Sequence, residues 1–177
     1  MDSKNIIPAV LIISLMFVLM TICGCFKYSF TGKGGPGHIS SVAIPLFENS
    51  TAEYGIVEDL TDELILTFQN DNTLKIADES SADAVLWGKL TRVEDVPYTY
   101  EGEGEAANFS VGEYKLTLTV EIEYYDLVKE ETLWKQQVQG WGTYNYVSGS
   151  QEERVVGFSD AIEKLTQDIL NLTVSGW

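Results

Sequence analysis

Histidine, cysteine and basic residues are scarce in this sequence. Its 177 residues include one histidine and two cysteines, which excludes zinc-finger spacing and leaves histidine-based catalysis without a second group. Eleven Lys and Arg residues face 27 Asp and Glu residues, giving a formal charge of −16. Because nucleic-acid phosphates are bound by cations, this balance argues against a nucleic-acid partner and against a polybasic membrane-surface protein. We expect an acidic globular protein without catalytic activity, cofactor or metal.

The first 24 residues are typical of a secretory signal. A polar head that contains Lys4 precedes 17 uncharged residues, Ile6–Ile22, and small residues follow. A charged head, an apolar run and a small-residue end are the three parts of such a signal. A membrane-spanning helix is the alternative, but the run is slightly short, since a span needs about 20 apolar residues.

The end of this signal resembles the lipobox of bacterial lipoproteins, because Cys25 follows Ile22, Cys23 and Gly24. The resemblance implies that residues 1–24 are removed and that Cys25 carries the acyl chains. An ordinary cleaved signal with an unmodified cysteine is the alternative. After cleavage Cys25 would be the single remaining cysteine, so an intramolecular disulfide is excluded.

Residues 25–37 are predicted to be a tether behind the lipidated cysteine. The stretch Thr31–Gly37 contains four glycines and one proline, a composition typical of a flexible linker. It has no phosphate-binding motif. His38 follows, and we expect it to be a solvated side chain rather than a catalytic group. A single α+β domain is predicted over residues 38–177.

The folded part shows two helical patterns. Apolar residues at spacings of three and four predict a helix that Gly55 opens and Asn70–Asn72 closes. The same periodicity predicts a closing helix, for which Ser150 and Glu153 fit a capping box. Its predicted apolar stripe is Val155, Phe158, Ile162, Leu165, Ile169 and Leu172.

Four strands are predicted around the first helix. A short one, Ile39–Pro45, precedes it, and Ala84–Val93, Tyr114–Tyr125 and Leu133–Tyr144 follow. Ala84–Val93 begins apolar on both faces, which indicates an interior strand, and a charged turn joins the last two strands into an antiparallel hairpin. The order β-α-β-β-β-α lacks βαβ alternation, so we expect an α+β fold with both helices packed on one face of a four-stranded sheet.

A series of short motifs runs through nearly the whole chain behind the signal. They are Tyr28–Gly32, Val42–Pro45, Phe47–Thr51, Leu60–Leu64 before Phe68, Ala82–Gly88, Leu133-Trp134 and the amphipathic closing helix. In this order they resemble the LptE family of lipopolysaccharide-assembly lipoproteins. The resemblance implies an outer-membrane lipoprotein that sits inside an LptD β-barrel, supports its assembly and plugs it while lipopolysaccharide passes to the outer leaflet. Phe26 directly after the modified cysteine is similar to the enteric pattern for outer-membrane sorting.

The stretch between Arg92 and Lys115 departs from the family pattern. Family members are thought to contact lipopolysaccharide through basic residues near this end of the sheet. Here the stretch has no Lys or Arg, and it includes Glu94, Asp95, Glu101, Glu103 and Glu105. Such a loop repels anionic head groups, so direct lipid binding is left open. We favour a solvated loop over a calcium or magnesium site, because the spacing is not that of an EF-hand.

Four aromatic residues are candidate contacts with a partner or a lipid: Tyr98, Tyr100, Phe109 and Trp141. Trp and Tyr are favoured in patches buried between proteins, although for Trp141 we favour core packing over an interface role. Two other functions stay open. One is a generic envelope lipoprotein that binds a small ligand or another envelope protein, and the other is a periplasmic hydrolase that uses carboxylates such as Asp95.

Overall fold

The computed structural model describes residues 37–101, 110–145 and 151–175, which form six strands and two helices. In chain order these are β1 (Ser41–Ala43), β2 (Glu48–Asn49), α1 (Ile56–Asp71), β3 (Lys75–Ile76), β4 (Ala84–Glu101), β5 (Ser110–Asp126), β6 (Glu131–Asn145) and α2 (Gln151–Ser175). The predicted α+β class is confirmed. The predicted signal, Cys25, most of the tether and Ser150 lie outside the described residues.

The sheet is mixed, with the order β3-β1-β4-β5-β6 and with β2 paired to β4 beyond β1. Strand β1 runs parallel to β3 and β4, and β2 runs parallel to β4. Strands β4, β5 and β6 form an antiparallel meander. The interior position of β4 and the β5–β6 hairpin are therefore confirmed.

The predicted strand number and order are wrong, because β2 and β3 show no apolar pattern in the sequence. Six strands replace the expected four, and the order is β-β-α-β-β-β-β-α. Strands β2 and β3 have two residues each, which is too short for any alternation of apolar and polar side chains. They are held by the backbone instead: in β3, for example, the Lys75 N–H donates to the Ser40 carbonyl at 3.0 Å.

One core joins both helices to one face of the sheet. On β5 the residues Leu116, Leu118, Val120 and Ile122 are fully buried and alternate with more exposed neighbours, as expected of a strand with one covered face. They share a single apolar cluster with the stripes of both helices, namely Val57, Leu60, Leu64 and Phe68 of α1 and Phe158, Ile162, Leu165 and Ile169 of α2. Val155 is an exception to the predicted stripe, since it is 63% exposed.

Two glycines let α2 lie directly on strand β6. A Cβ added at Gly140 would overlap the carbonyl oxygen of Ala161, and one added at Gly142 would overlap that of Gly157. Side chains at these two positions would therefore hold the helix away from the strand. This close contact fixes where the first turns of α2 lie over the sheet.

The proximal end of the sheet is where β1 and β4 begin and β5 ends. A buried carboxylate there binds the segment before β1 and the turn after β5. Asp126 is fully buried, and its Oδ1 accepts the N–H groups of Val128 and Lys129 at 2.9 Å. His38 Nε2 lies 2.6 Å from Asp126 Oδ2, so the expectation of a merely solvated histidine is wrong. Burial raises the pKa of Asp126, but these hydrogen bonds outweigh it and hold the pKa below its ordinary value.

Candidate interaction surface

A two-stranded ribbon forms the distal end of the sheet, where β4 ends and β5 begins. On the β1 and β2 side, the pairing of β4 stops at Leu90. Beyond that point β4 continues to Glu101 with β5 as its partner in the described part of the chain. We call Asp95–Glu101 of β4 and Ser110–Leu116 of β5 the distal ribbon. Its register shifts on both sides of Thr99.

The ribbon is longer than the sequence predicts, because β4 was expected to end at Val93. Charged residues and Pro97 interrupt the apolar pattern after that point. Proline lacks an N–H and is tolerated in a strand where one edge has no neighbour. The free edge of β4 at Pro97 meets this condition.

The ribbon carries two of the four predicted contact residues. Tyr98 and Tyr100 are 54% and 64% exposed, and the neighbouring Val96 is 48% exposed. Phe109 lies outside the described residues. These exposed aromatic and aliphatic side chains make the distal ribbon a candidate contact surface, because large apolar residues left in water are a feature of binding sites.

Trp141 lies apart from the two tyrosines, on the neighbouring strand β6. It pairs with Thr117 of β5, which in turn pairs with Glu94 of β4, so it is about 13 Å from Tyr98 along the strand direction. The alternating neighbours Gly140 and Gly142 face α2, which places the indole on the opposite face of the sheet. Trp141 is 40% exposed and is not a core residue.

Two lysines flank the Trp141 ring. Lys164 of α2 reaches around the edge strand, with its Nζ 3.4 Å from the ring centroid, and donates to the Trp141 carbonyl at 3.1 Å. Lys115 of β5 holds its Nζ 4.8 Å from the same centroid. Ammonium groups are attracted to the electron-rich face of an indole. The ring is therefore fixed in a half-exposed orientation.

Arg154 of α2 anchors the base of the distal ribbon. Its Nη2 lies 2.7 Å from Asp95 Oδ2 on β4 and 2.7 Å from Glu53 Oε1 on the segment before α1. A second bond, from Nη1 to Glu53 Oε2 at 3.1 Å, makes the latter pair bidentate. Tyr144 of β6 donates its hydroxyl to Asp95 Oδ1 at 3.0 Å. One guanidinium thus ties two strands, the long helix and the segment before α1 together.

The charges in this network are mutually satisfied. The hydrogen bonds that Arg154 donates to Glu53 and, to a smaller extent, to Asp95 outweigh burial and raise the pKa of Arg154, which keeps the cation protonated. Burial, followed by the bond to Asp95, raises the pKa of Tyr144 to about 12. With two carboxylates around one guanidinium, Arg154 offers no spare positive charge to an anionic ligand.

The sequence reasoning missed Arg154 and Glu53 as residues of this site. They are separated by 101 positions, and Arg154 and Asp95 by 59, so no local pattern connects them. One signal was available: Arg154 is a cation near the start of a helix, where the helix dipole disfavours positive charge. A residue in that position needs carboxylates nearby.

Within residues 37–101, 110–145 and 151–175, no group of three or more His, Cys, Asp or Glu residues is placed to hold a metal ion. No helix in these ranges is both long and apolar enough to cross a bilayer. The acidic positions Glu103 and Glu105, considered above for a divalent cation, lie outside the described residues.

The family comparison decides the relationship of the chain. The model of the LptE family, described as lipopolysaccharide-assembly, matches residues 39–173. This range includes every strand of the described residues, all of α1 and most of α2. The chain belongs to the LptE family. No curated protein sequence matches it.

Solved structures share the fold of this LptE family member at low sequence identity. Protein XCC0632 from Xanthomonas campestris is 9% identical, with a TM-score of 0.53 over 79% of this chain and 88% of its own. The hypothetical protein CT253 from Chlamydia trachomatis is 8% identical, with a TM-score of 0.51 over 78% of this chain and 99% of its own. At these identities the likeness concerns the fold alone.

Proposed function

We propose that this LptE family member is an outer-membrane lipoprotein, anchored through acyl chains on Cys25, that plugs an LptD-like β-barrel and assists its assembly during lipopolysaccharide transport. The family match over residues 39–173 is the observation that carries the proposal. The action is binding and gating, and no bond is made or broken. The acyl chains supply the membrane attachment that a chain of formal charge −16 cannot obtain from anionic head groups.

The distal ribbon supports the proposal as the surface that meets the barrel. It exposes Tyr98 and Tyr100 at the end of the sheet, and such residues supply most of the binding energy in protein interfaces. Arg154 holds the base of the ribbon, which reduces the conformational entropy that binding must remove. We do not assign lipopolysaccharide contact to the ribbon, because Glu53 and Asp95 neutralise the guanidinium at its base. Within the ribbon the single cation, Lys115, is outnumbered by Asp95, Glu101 and Glu113.

The proposal is tested by co-purification from cells in detergent. Full-length tagged protein is expected to recover an outer-membrane β-barrel in near-equal amount. The Tyr98→Ala/Tyr100→Ala double variant is expected to recover about tenfold less barrel, because two exposed anchors are lost. The matched control is Leu66→Ala/Val128→Ala, which removes two exposed apolar side chains away from the ribbon and is expected to recover the wild-type amount.

Thermal unfolding of both double variants checks that they remain folded. Recovery of the lipoprotein alone from wild-type cells would contradict the proposal. It would favour the second reading, a generic envelope lipoprotein, which also predicts that depletion leaves lipopolysaccharide at the cell surface unchanged. Equal barrel recovery by the two double variants would support the partnership with the barrel but contradict the assignment of the ribbon as its contact surface.

A further inference from the structure

A long open groove runs between the two helices, on the side of the core away from the sheet. Its volume is about 730 Å³. Apolar side chains of both helices form its floor, among them Ile56, Phe158, Ile162 and Leu170, and Val155 stands exposed at one end. The distal ribbon and Trp141 contribute nothing to this groove, so it is separate from the surface described above.

The helices that line the groove run parallel. Residues of α1 lie beside residues of α2 that come about 100 positions later in the sequence. Arg154 binds Glu53 at one end, and Thr166 Oγ1 lies 3.5 Å from Thr67 Oγ1 further along. The lining residues extend from Val155 to Leu170 on α2. At 1.5 Å per residue this gives a length of about 22 Å, which equals that of a helix of about 15 residues.

Carboxylates stand along the groove, and no lysine or arginine of the described residues lines it. Asp59, Glu63 and Asp71 come from α1, and Glu163 comes from α2. Among the described residues, none of these four carboxylates forms an ion pair, although five of the eight lysines and arginines do. The groove therefore combines an apolar floor with an unneutralised negative rim.

We propose that the groove binds a cationic amphipathic helix from a partner protein. Such a helix would place its apolar stripe on the floor and its Lys and Arg residues against the carboxylates, which is a common mode of helix recognition. Charge complementarity selects this occupant. A second copy of this chain, at −16, and anionic lipid head groups would both be repelled. The inference does not depend on the barrel partnership.

The test uses the full-length chain in detergent micelles and a fluorescent Leu/Lys peptide of about 15 residues with leucines at helical spacing. A scrambled isomer of the same composition is the peptide control, and empty micelles are the blank. Binding is followed by fluorescence anisotropy at about 0.15 M salt, where charges more than about 8 Å apart are largely screened.

Two charge-matched double variants separate groove binding from general attraction to an acidic protein. Glu63→Lys/Glu163→Lys reverses one carboxylate on each side of the groove. Glu79→Lys/Glu130→Lys makes the same change in net charge at two exposed turn positions outside it. We expect the wild-type chain to bind the amphipathic peptide about tenfold tighter than its isomer, the groove variant to lose about tenfold in affinity, and the control variant to bind as wild type.

Three kinds of result would overturn the proposal. The first is an equal loss of affinity in both double variants, or equal binding of the two peptides, since either would indicate general electrostatic attraction. The second comes from a version of the peptide that carries a photo-cross-linker, if it forms cross-links to residues outside α1 and α2. The third is a self-associated species that the groove variant abolishes while the peptide fails to bind, which would make a second copy the occupant.

Discussion

At the scale of single residues, one carboxylate oxygen connects the beginning of β1 to the beginning of β4. Asp83 Oδ2 accepts the N–H of Ser40 at 2.9 Å and that of Ser41 at 3.0 Å, and it accepts both serine hydroxyls at 2.8 Å. These donors, the Ser40 N–H first, hold the pKa of Asp83 below its ordinary value. The parallel β1–β4 pairing of Val42 with Ala84 follows immediately.

The Asp83→Ala substitution is expected to lower the free energy of unfolding by about 1 to 2 kcal/mol, because charge-assisted hydrogen bonds at a partly exposed site are lost. Urea unfolding followed by circular dichroism measures the change. Glu79→Ala removes an exposed carboxylate in the preceding turn and is expected to have no measurable effect. Equal stability of the two variants would mean that the Asp83 hydrogen bonds contribute nothing net.

At the scale of secondary-structure elements, the sequence predicts what repeats locally. The α1 stripe from Val57 to Phe68 and the alternation along β5 can be read from the sequence. In both, apolar residues recur at the spacing that places them on one face of the element. Strand β4 is predicted only as far as Val93. Beyond Leu90 it pairs, within the described residues, with β5 alone, and its exposed last residues no longer follow an apolar pattern. Strands β2 and β3 are backbone pairings of two residues and leave no pattern.

The candidate surface is only partly predictable for a related reason. Tyr98 and Tyr100 are predicted as contacts because aromatic residues beside charged ones stand out within a single stretch of sequence. Arg154 and Glu53 lie 101 positions apart in the sequence, so their contact is a product of tertiary structure. The half-exposed orientation of Trp141 likewise depends on Lys164 from another element.

The contact between α2 and β6 gives a prediction about these elements. Gly140→Ala places a methyl group against the Ala161 carbonyl and 2.7 Å from Leu165 Cβ, so the helix must shift. We expect a loss of about 2 to 3 kcal/mol in the free energy of unfolding, typical of overpacking. Thermal and urea unfolding measure it, and Gly37→Ala, which meets nothing within 4 Å, is the control. An unchanged Gly140→Ala stability would show that α2 moves at no cost.

At the scale of the whole molecule, few cations serve many carboxylates. Lys135 is shared between Glu121 and Glu123, just as Arg154 is shared between Glu53 and Asp95. The carboxylates left over are not spread evenly, since several of them line the groove between the helices. Among the described residues the ion pairs are concentrated on the sheet, so the helical side of this chain of −16 carries more carboxylates without an ion pair.

Acid is expected to destabilise the whole fold through its hydrogen-bonded carboxylates. The pKa values of Asp83 and Asp126 are lowered from 3.8 in the folded state, so the unfolded chain takes up protons more readily at these groups. Their contribution is complete above about pH 5 and is lost as the pH falls through 3.8 toward the lowered folded values. Urea unfolding between about pH 5 and pH 3 is expected to show a decline that is smaller in Asp83→Asn, because one of the two lowered groups no longer titrates. All other carboxylates are common to both proteins, so parallel curves for wild type and variant would contradict the assignment.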